Sequence, residues 1–349
     1  MPRTWTDRTG EHQFEAEFAD FSDGKILLKQ ADGQIIAIDI EDCSRADQQY
    51  VREELRRRRA GQTAEVSDRP GTVLYGPGRE LCKLLNPAID ESSGLACSRA
   101  VPGVFWTHND SGDSARIYAF DAHGTDLGSC LLADVQAFDF EDVVSFRLGQ
   151  KSYLLVGDTG NNGRASPVQI LYLIEEPRLD PKRGVAVGQV PVARTIYYAY
   201  EDDHRDCEAV AIDPTSETIL LVAKEKVSRC DVYALAWPKD EAEKVALARK
   251  IAVLRIPSAT AMDISPDGLR TVVLTYGNAY EYTRGEQEDW SVAFGRRPCE
   301  IILPQRLQGE SICYGPDGKT LYLTSEKRPA PLWEVPVRTP ERTRRALRE

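Results

Sequence analysis

A weak internal repeat, marked by its turns, constrains this chain more than any other feature of its sequence. Three segments end in the same kind of turn: Glu208-Ala-Val-Ala-Ile-Asp-Pro214, Thr260-Ala-Met-Asp-Ile-Ser-Pro-Asp-Gly268 and Glu310-Ser-Ile-Cys-Tyr-Gly-Pro-Asp-Gly318. Aligned on the proline, Glu208, Thr260 and Glu310 fall in register, and Ser93-Gly-Leu-Ala-Cys97 and Glu141-Asp-Val-Val-Ser145 extend the series upstream. The five starts lie 48, 67, 52 and 50 residues apart. The long gap contains Pro177 to Val190, rich in Pro, Gly and charge, which reads as an inserted loop. Each start leads into an apolar strand, such as Tyr153-Leu-Leu-Val156 or Val272-Val-Leu-Thr275, and then a third strand with aromatic residues in most copies, such as Ile117-Tyr-Ala-Phe120. A fourth strand follows in four copies, for example Lys250-Ile-Ala-Val-Leu254. Four-stranded units recurring at about 40–50 residues predict the blades of a β-propeller. The fifth unit stops after three strands near Val337, and Glu80-Leu-Cys-Lys-Leu-Leu85 offers the outer strand that would close the ring. Five blades are expected; a sixth would have to sit in the long gap.

Composition sets outer limits on function. The 349 residues carry 55 acidic and 44 basic side chains, a net charge of −11. That balance argues against broad binding to nucleic acid, which needs basic surface. No apolar run approaches the roughly 20 residues of a membrane helix, so no membrane span is expected. No apolar stretch behind a basic start is visible, which makes a cytoplasmic location the default, or a secreted or periplasmic one if the start is truncated. The eight cysteines show no Cys-x-x-Cys spacing, and most sit in strand-like apolar runs, as small buried hydrophobes do; a disulfide framework is the other reading.

The N-terminal segment has its own character. Residues 3–40 read as four short strands, with Asp-Gly turns at Ser22-Asp-Gly24 and Ala31-Asp-Gly33, and Ser44-x-x-Asp47 offers a helix start continued by Gln48 to Arg59. Arg56 to Arg59 reads as a solvated helix end or as a basic recognition patch. The predicted layout is a module at 1–59, a linker at 60–78, a propeller at 79–337 and a basic tail at 338–349. The strings Arg3-Thr-Trp-Thr-Asp7, Phe14-Glu-Ala-Glu-Phe18, Asp23-Gly-Lys25, Leu28-Lys29, Ala31-Asp-Gly33 and Asp47-Gln-x-Tyr-Val51 resemble the Sla-type homology domain. The resemblance implies a small SH3-like barrel, hence an all-β chain overall. In a fungal endocytic adaptor that domain binds Asn-Pro-Phe-x-Asp peptides, which implies a peptide or protein partner here; a barrel that docks only on its own chain is the other reading.

The body in turn resembles bacterial propellers of the NHL-like, esterase-like phytase and SdiA-regulated groups. It does so through Ser93-Gly-Leu-Ala96, Trp106-Thr-His-Asn-Asp-Ser-Gly-Asp113, Phe140-Glu-Asp-Val143, Val156-Gly-Asp-Thr-Gly-Asn161 and Asp206-Cys-Glu-Ala-Val210.

The first strand of a blade lines the central channel, and residues two apart share a strand face. One such position holds Ser93, Glu141, Glu208, Thr260 and Glu310; the position two residues earlier holds Glu91, Asp139, Asp206, Ser258 and Gln308. The second strands end in Asn109, Asp158, Lys224, Gly277 and Glu326, near the same mouth. Converging carboxylates repel unless a cation neutralises them, and oxygen ligands from several elements suit Ca²⁺. Glu141, Asp158, Glu208, Glu310 and Glu326 are therefore candidate metal ligands. Glu91, Asn109, Asp110, Asp113, Asp139, Asp206 and Lys224 are candidate ligand contacts. Lys224 is also a resident cation that would neutralise the site without a metal, and bonds to backbone amides and arginines would account for the acids structurally. The loops Asp110-Ser-Gly-Asp113 and Asp158-Thr-Gly-Asn161 place oxygen-bearing side chains around a glycine, as ligand contacts or as tight turns. His108 is the one histidine placed as a general base, with a structural polar role as its other reading. No nucleophile elbow or phosphate loop occurs. Two readings follow: a non-enzymatic scaffold for a peptide or protein partner, or a Ca²⁺-dependent esterase- or phosphatase-like hydrolase with its site in the channel.

Overall fold

The computed structural model describes residues 2–338 apart from 23–24, 67–71, 181–183, 186–187, 225–228, 239–244, 305, 307 and 327. The expected Asp23-Gly24 turn and all of the basic tail but Arg338 lie outside the described residues.

Alternating strands at the N-terminus pair as an antiparallel meander of β1 (Arg3–Thr6), β2 (Gln13–Ser22), β3 (Lys25–Lys29) and β4 (Ile35–Asp39). A bridge between Asp7 and Cys43 joins the two ends of this sheet, and helix α1 (Arg45–Val66) follows. Trp5, Phe18, Ile26, Leu28 and Val51 form its core. The motif residues that mark this segment also hold it together. Asp47 accepts from Arg3 Nη2 (2.6 Å), Thr6 N (2.9 Å) and Ser44 Oγ (2.7 Å), while Ser44 Oγ accepts from Asp47 N (3.2 Å) to start the helix. The Arg3 guanidinium lies 3.8 Å from the centre of the Tyr50 ring. The helix continues past Arg59 to Val66, so the first part of the expected linker is helical. The Arg56–Arg59 run thus falls inside the helix and does not end it. Further on, Tyr75 bridges Val337 and donates its hydroxyl to Glu281 (2.6 Å), which fixes the end of the linker on the body.

The body builds five four-stranded units. Chain order begins with β5 (Arg79–Lys83), which belongs to the last of them. Blade 1 is β6 (Ser92–Cys97), β7 (Val104–Asn109), β8 (Arg116–Asp121) and β9 (Asp126–Leu132). Blade 2 has β10 (Phe140–Leu148), β11 (Lys151–Asp158) and β12 (Gln169–Glu175). An insertion follows with β13 (Leu179–Asp180), β14 (Gly184–Val185) and β15 (Gln189–Val190), before β16 (Val192–Tyr200) completes the blade. Blade 3 is β17 (Cys207–Asp213), β18 (Thr218–Ala223), β19 (Cys230–Ala236) and β20 (Ala246–Leu254). Blade 4 is β21 (Ala259–Ile264), β22 (Arg270–Thr275), β23 (Ala279–Thr283), the short helix α2 (Trp290–Phe294) and β24 (Cys299–Ile301). Blade 5 is β25 (Ser311–Tyr314), β26 (Leu321–Thr324) and β27 (Pro331–Val335), and its fourth strand is β5. Among the described residues the long gap holds no sixth blade: β15 adds in parallel to β9, widening blade 1. The parallel pairing of β16 with β20 joins blades 2 and 3 at their outer strands.

Strands buried on both faces must pack against a neighbouring sheet on each side. Five apolar clusters do this, one between each pair of adjacent blades. Trp106 and Leu154 lie between blades 1 and 2, Leu155 and Leu221 between 2 and 3, Val222 and Val273 between 3 and 4, Leu274 and Leu323 between 4 and 5, and Phe105 and Leu332 between 5 and 1. The last of these clusters closes the ring. All eight cysteines are free and six are buried, in keeping with their apolar settings. Among the described residues, no helix is long and apolar enough to cross a membrane.

Candidate functional site at one mouth of the propeller

The same irregularity occurs at the start of the first strand in four blades. Ser92 pairs with Asn109 and Gly94 with His108, leaving Ser93 as an extra residue. Glu141, Glu208 and Thr260 are likewise skipped between the pairs of Phe140 and Asp142, Cys207 and Ala209, and Ala259 and Ala261. Each is a β-bulge, a device that re-aims one side chain out of the ladder. In blade 5, Glu310 stands just before Ser311, the first paired residue of β25. The repeat register thus coincides with the bulges, and all five residues are buried. Hydroxyls tie the bulges to the next blade: Ser93 Oγ donates to Glu141 O (3.2 Å) and Thr260 Oγ1 to Gly309 O (2.9 Å).

Around this ring seven carboxylates converge in three overlapping groups: Asp110, Glu310 and Glu326; Asp110, Asp139 and Glu141; Glu141, Asp206 and Glu208. Within each group the carboxylate oxygens lie within 4.8 Å of one another. Asp110 links the first group to the second and Glu141 the second to the third, so the cluster is continuous. Among the described residues one cation pairs with it: Lys224 Nζ donates to Glu208 Oε1 at 2.8 Å and stands 5.2 Å from the Tyr276 ring centre.

The environment favours neutral carboxyls. Burial, then the charges of Glu208, Asp110, Asp139 and Asp206, drives Glu141 well above the usual carboxylate range. Asp139 rises to about 6 through burial, then Asp110 and Asp206. Burial raises Glu208 in spite of Lys224, and raises Glu310 together with its contact to Glu326. Glu91, at the exposed rim, is also raised, by partial burial and by Glu326 and Asp110. Glu141 is the most telling member. It is 4% exposed, and no hydrogen-bond donor faces its carboxylate among the described residues.

Other candidates are spent on the fold. Asp158 accepts from the amides of Phe138 and Asp139 (2.7 Å to the latter) and belongs to none of the three groups. Asn109 plays the equivalent part in blade 1, accepting from Asp90 N (3.1 Å) and Glu91 N (3.3 Å). Asp113 accepts from Tyr118 Oη (2.7 Å), Asn109 Nδ2 (2.9 Å) and Ser114 N (2.6 Å), as a turn residue does. Asp206, within the cluster, also accepts from Asn161 N (2.7 Å). His108 is fully buried, with Nδ1 against Asn109 O (2.9 Å) and its ring edge-on to Phe140. Burial lowers its pKa, and Gly94 covers it so closely that a Cβ there would lie 2.3 Å from Nε2. This sealed ring packs the blade 1–blade 2 junction.

Two neighbours escaped the sequence reading. Asp142, next to Glu141, reaches across the channel to accept from Val210 N (3.0 Å) and Met262 N (3.2 Å) in blades 3 and 4. Simple alternation turns it away from the axis; the bulge at Glu141 turns it inward. The adjacent acids Glu141-Asp142 inside an apolar strand were the available signal. The other is Gly160, where a Cβ would stand 2.2 Å from Asp139 Oδ2 and 2.4 Å from Glu141 Oε1. Backbone can lie this close to the carboxylates only without a side chain.

Comparison with known proteins bears on the N-terminal module. Residues 1–59 match the family model of SLA1 homology domain 1. The actin cytoskeleton-regulatory complex protein SLA1 of Mycosarcoma maydis is 49% identical over 45 residues, 13% of this chain and 4% of that protein. The chain therefore carries an SLA1 homology domain 1 at its N-terminus, a type of module that suggests protein interaction, and spans a small fraction of that relative's length. Among solved structures, that of a protein assigned as a 6-phosphogluconolactonase from Bacteroides uniformis matches at a TM-score of 0.37 and 14% identity, over 74% of this chain and 71% of that one.

Proposed function

We propose that this chain is a non-enzymatic binding protein in which an SLA1-type module engages a protein or peptide partner and the propeller mouth holds a divalent cation. The observation that carries the cation is Glu141, buried among other carboxylates with no donor facing it. An uncompensated buried carboxylate is costly, and a cation shared with Asp110, Asp139 and Asp206 removes the cost. The donors are all carboxylate oxygens from different blades and loops, which suits Ca²⁺ better than the N- and S-preferring metals. Among the described residues Lys224 pairs with Glu208 and offsets Glu310 in part, and it is not among the charges acting most strongly on Glu141, so it does not replace the ion. The sealed position of His108 takes the one candidate histidine out of reach of a substrate, which supports binding over hydrolysis.

The test is thermal melting of the chelator-stripped full chain with and without Ca²⁺, alongside metal analysis of the protein as purified. Added Ca²⁺ is expected to raise the melting temperature; unchanged melting would remove the cation from the reading. Turnover of p-nitrophenyl phosphate or p-nitrophenyl butyrate that requires Ca²⁺ would replace the binding function with the hydrolase.

A further inference from the structure

The far ends of the same first strands form a second mouth, and the repeat register gives it two kinds of side chain. Six residues after Glu208, Thr260 and Glu310 stand Pro214, Pro266 and Pro316, the prolines on which the repeat aligns. Six residues after Ser93 and Glu141, the same position holds Arg99 and Arg147. All five residues line one cavity of about 420 Å³. Adjacent blades 1 and 2 thus supply a cationic side, and blades 3, 4 and 5 an apolar one.

The arginines are braced by backbone carbonyls, and of the two only Arg99 feels a nearby acid among the described residues, the buried Asp263. Arg99 Nε donates to Ser145 O (3.3 Å), and Arg147 Nη2 donates to Arg99 O (2.7 Å). Neither forms an ion pair among the described residues. The buried acid against the loop that carries Arg99, Glu176 just past the end of β12, is used otherwise: it accepts from the amides of Arg99 and Ala100 (3.1 Å each), from Trp106 Nε1 (3.0 Å) and from Ser98 Oγ. Those bonds hold the loop rigid without neutralising the guanidinium. Asp263, deeper in the channel, accepts from Ile264 N and Tyr314 N (2.8 Å each). Two like charges lining one preformed cavity suit a planar anion, which a guanidinium binds in a forked geometry. A cavity of this size accepts a small organic molecule.

We propose that this second mouth binds a small organic anion, its carboxylate or phosphate between Arg99 and Arg147 and its apolar body against the three prolines. The site is separate from the acidic mouth and stands or falls without it.

The experiment is calorimetric titration of benzoate and of phenyl phosphate into the full chain, with inorganic phosphate and the cationic benzamidine as comparison probes. Saturable binding of one or both anions is expected, with no binding of benzamidine. Arg147→Gln should weaken it about tenfold or more, and Arg147→Lys should recover part of the loss. Arg147 is exposed, so this variant is expected to keep the wild-type melting temperature, whereas Arg99 packs against Ser145 O and is the riskier site. Pro266→Ala should weaken the aromatic anions and leave inorganic phosphate unchanged. Glu141→Gln should leave all of these affinities unchanged, which separates this site from the cation. Absence of saturable binding by both anions, binding indifferent to Arg147→Gln, or equal binding of benzamidine would overturn the proposal.

Discussion

Glu141 shows what a single residue can decide. Its carboxylate sits in two of the three acid groups, and the ordinary means of satisfying a buried acid do not reach it. Glu141→Gln removes one charge from a repelling set, so the metal-free variant should melt a few degrees above the wild type and gain nothing from added Ca²⁺. A Ca²⁺ response equal to the wild type would contradict the role given to this side chain. Gly160→Ala should also lose the response, because the new Cβ would press on Asp139 and Glu141; calorimetry with Ca²⁺ checks it.

Glu281 supplies a pH prediction away from the mouth. Burial, offset in part by Tyr75 and Tyr314, raises it from 4.5 to about 6. The folded state then holds a proton that the unfolded state has released. Stability from this group is full below about 4.5, falls as pH rises to about 6, and is flat above. Relative to wild type, Glu281→Gln should therefore be worth roughly 1–2 kcal/mol more at pH 7 than at pH 4.5, as read from denaturation curves at the two values. An identical difference at both would refute the assignment.

At the scale of elements, the blades were legible because each carries its own turn chemistry. Asp-Gly and Ser-Pro-Asp-Gly turns punctuate apolar strands, and even Glu80 to Leu85 could be assigned as the closing strand from the count of strands in the last unit. The bulges were not legible, because a bulge is a relation between two strands and leaves no mark on the residues of one. Reading Glu141 and Asp139 as neighbours on a face was correct in outcome, while Asp142 was missed for want of that bulge. The strand-end position of Asp158 marks it as a candidate ligand, while its engagement with two amides depends on the backbone of Phe138 and Asp139 and has no trace in the sequence. The helix extends past Arg59 because nothing in Ala60-Gly-Gln-Thr-Ala-Glu-Val66 breaks it strongly enough; one Gly is a weak stop inside 22 residues. Closure by β5 has its own consequence. A chain starting at residue 72 should melt cooperatively, whereas one starting at residue 84 leaves blade 5 with an open edge and should melt about 10 °C lower or aggregate. Equal melting of the two would show that β5 does not close the ring.

Across the whole molecule, the channel has unlike ends. Among the described residues, seven carboxylates and one lysine surround one mouth, and two arginines without an ion pair line the other with three prolines. Net charge alone placed the acidity in the body but could not place it on one face. The repeat could, because residues in one register meet at one mouth. The same register holds the second mouth, because the position that aligns three copies on proline carries Arg99 and Arg147 in the other two. Closure joins these ends through Asp142 and Asp263, whose carboxylates bind inner-strand amides between them.

Titration of Ca²⁺ into chelator-stripped full-length protein, followed by calorimetry and repeated on Glu141→Gln, tests the central claim most directly. Saturable binding in the wild type that is lost in the variant is the predicted result. No heat of binding in the wild type, or the same isotherm in both proteins, would show that the carboxylates of this mouth are held by shared protons and Lys224 rather than by a metal ion.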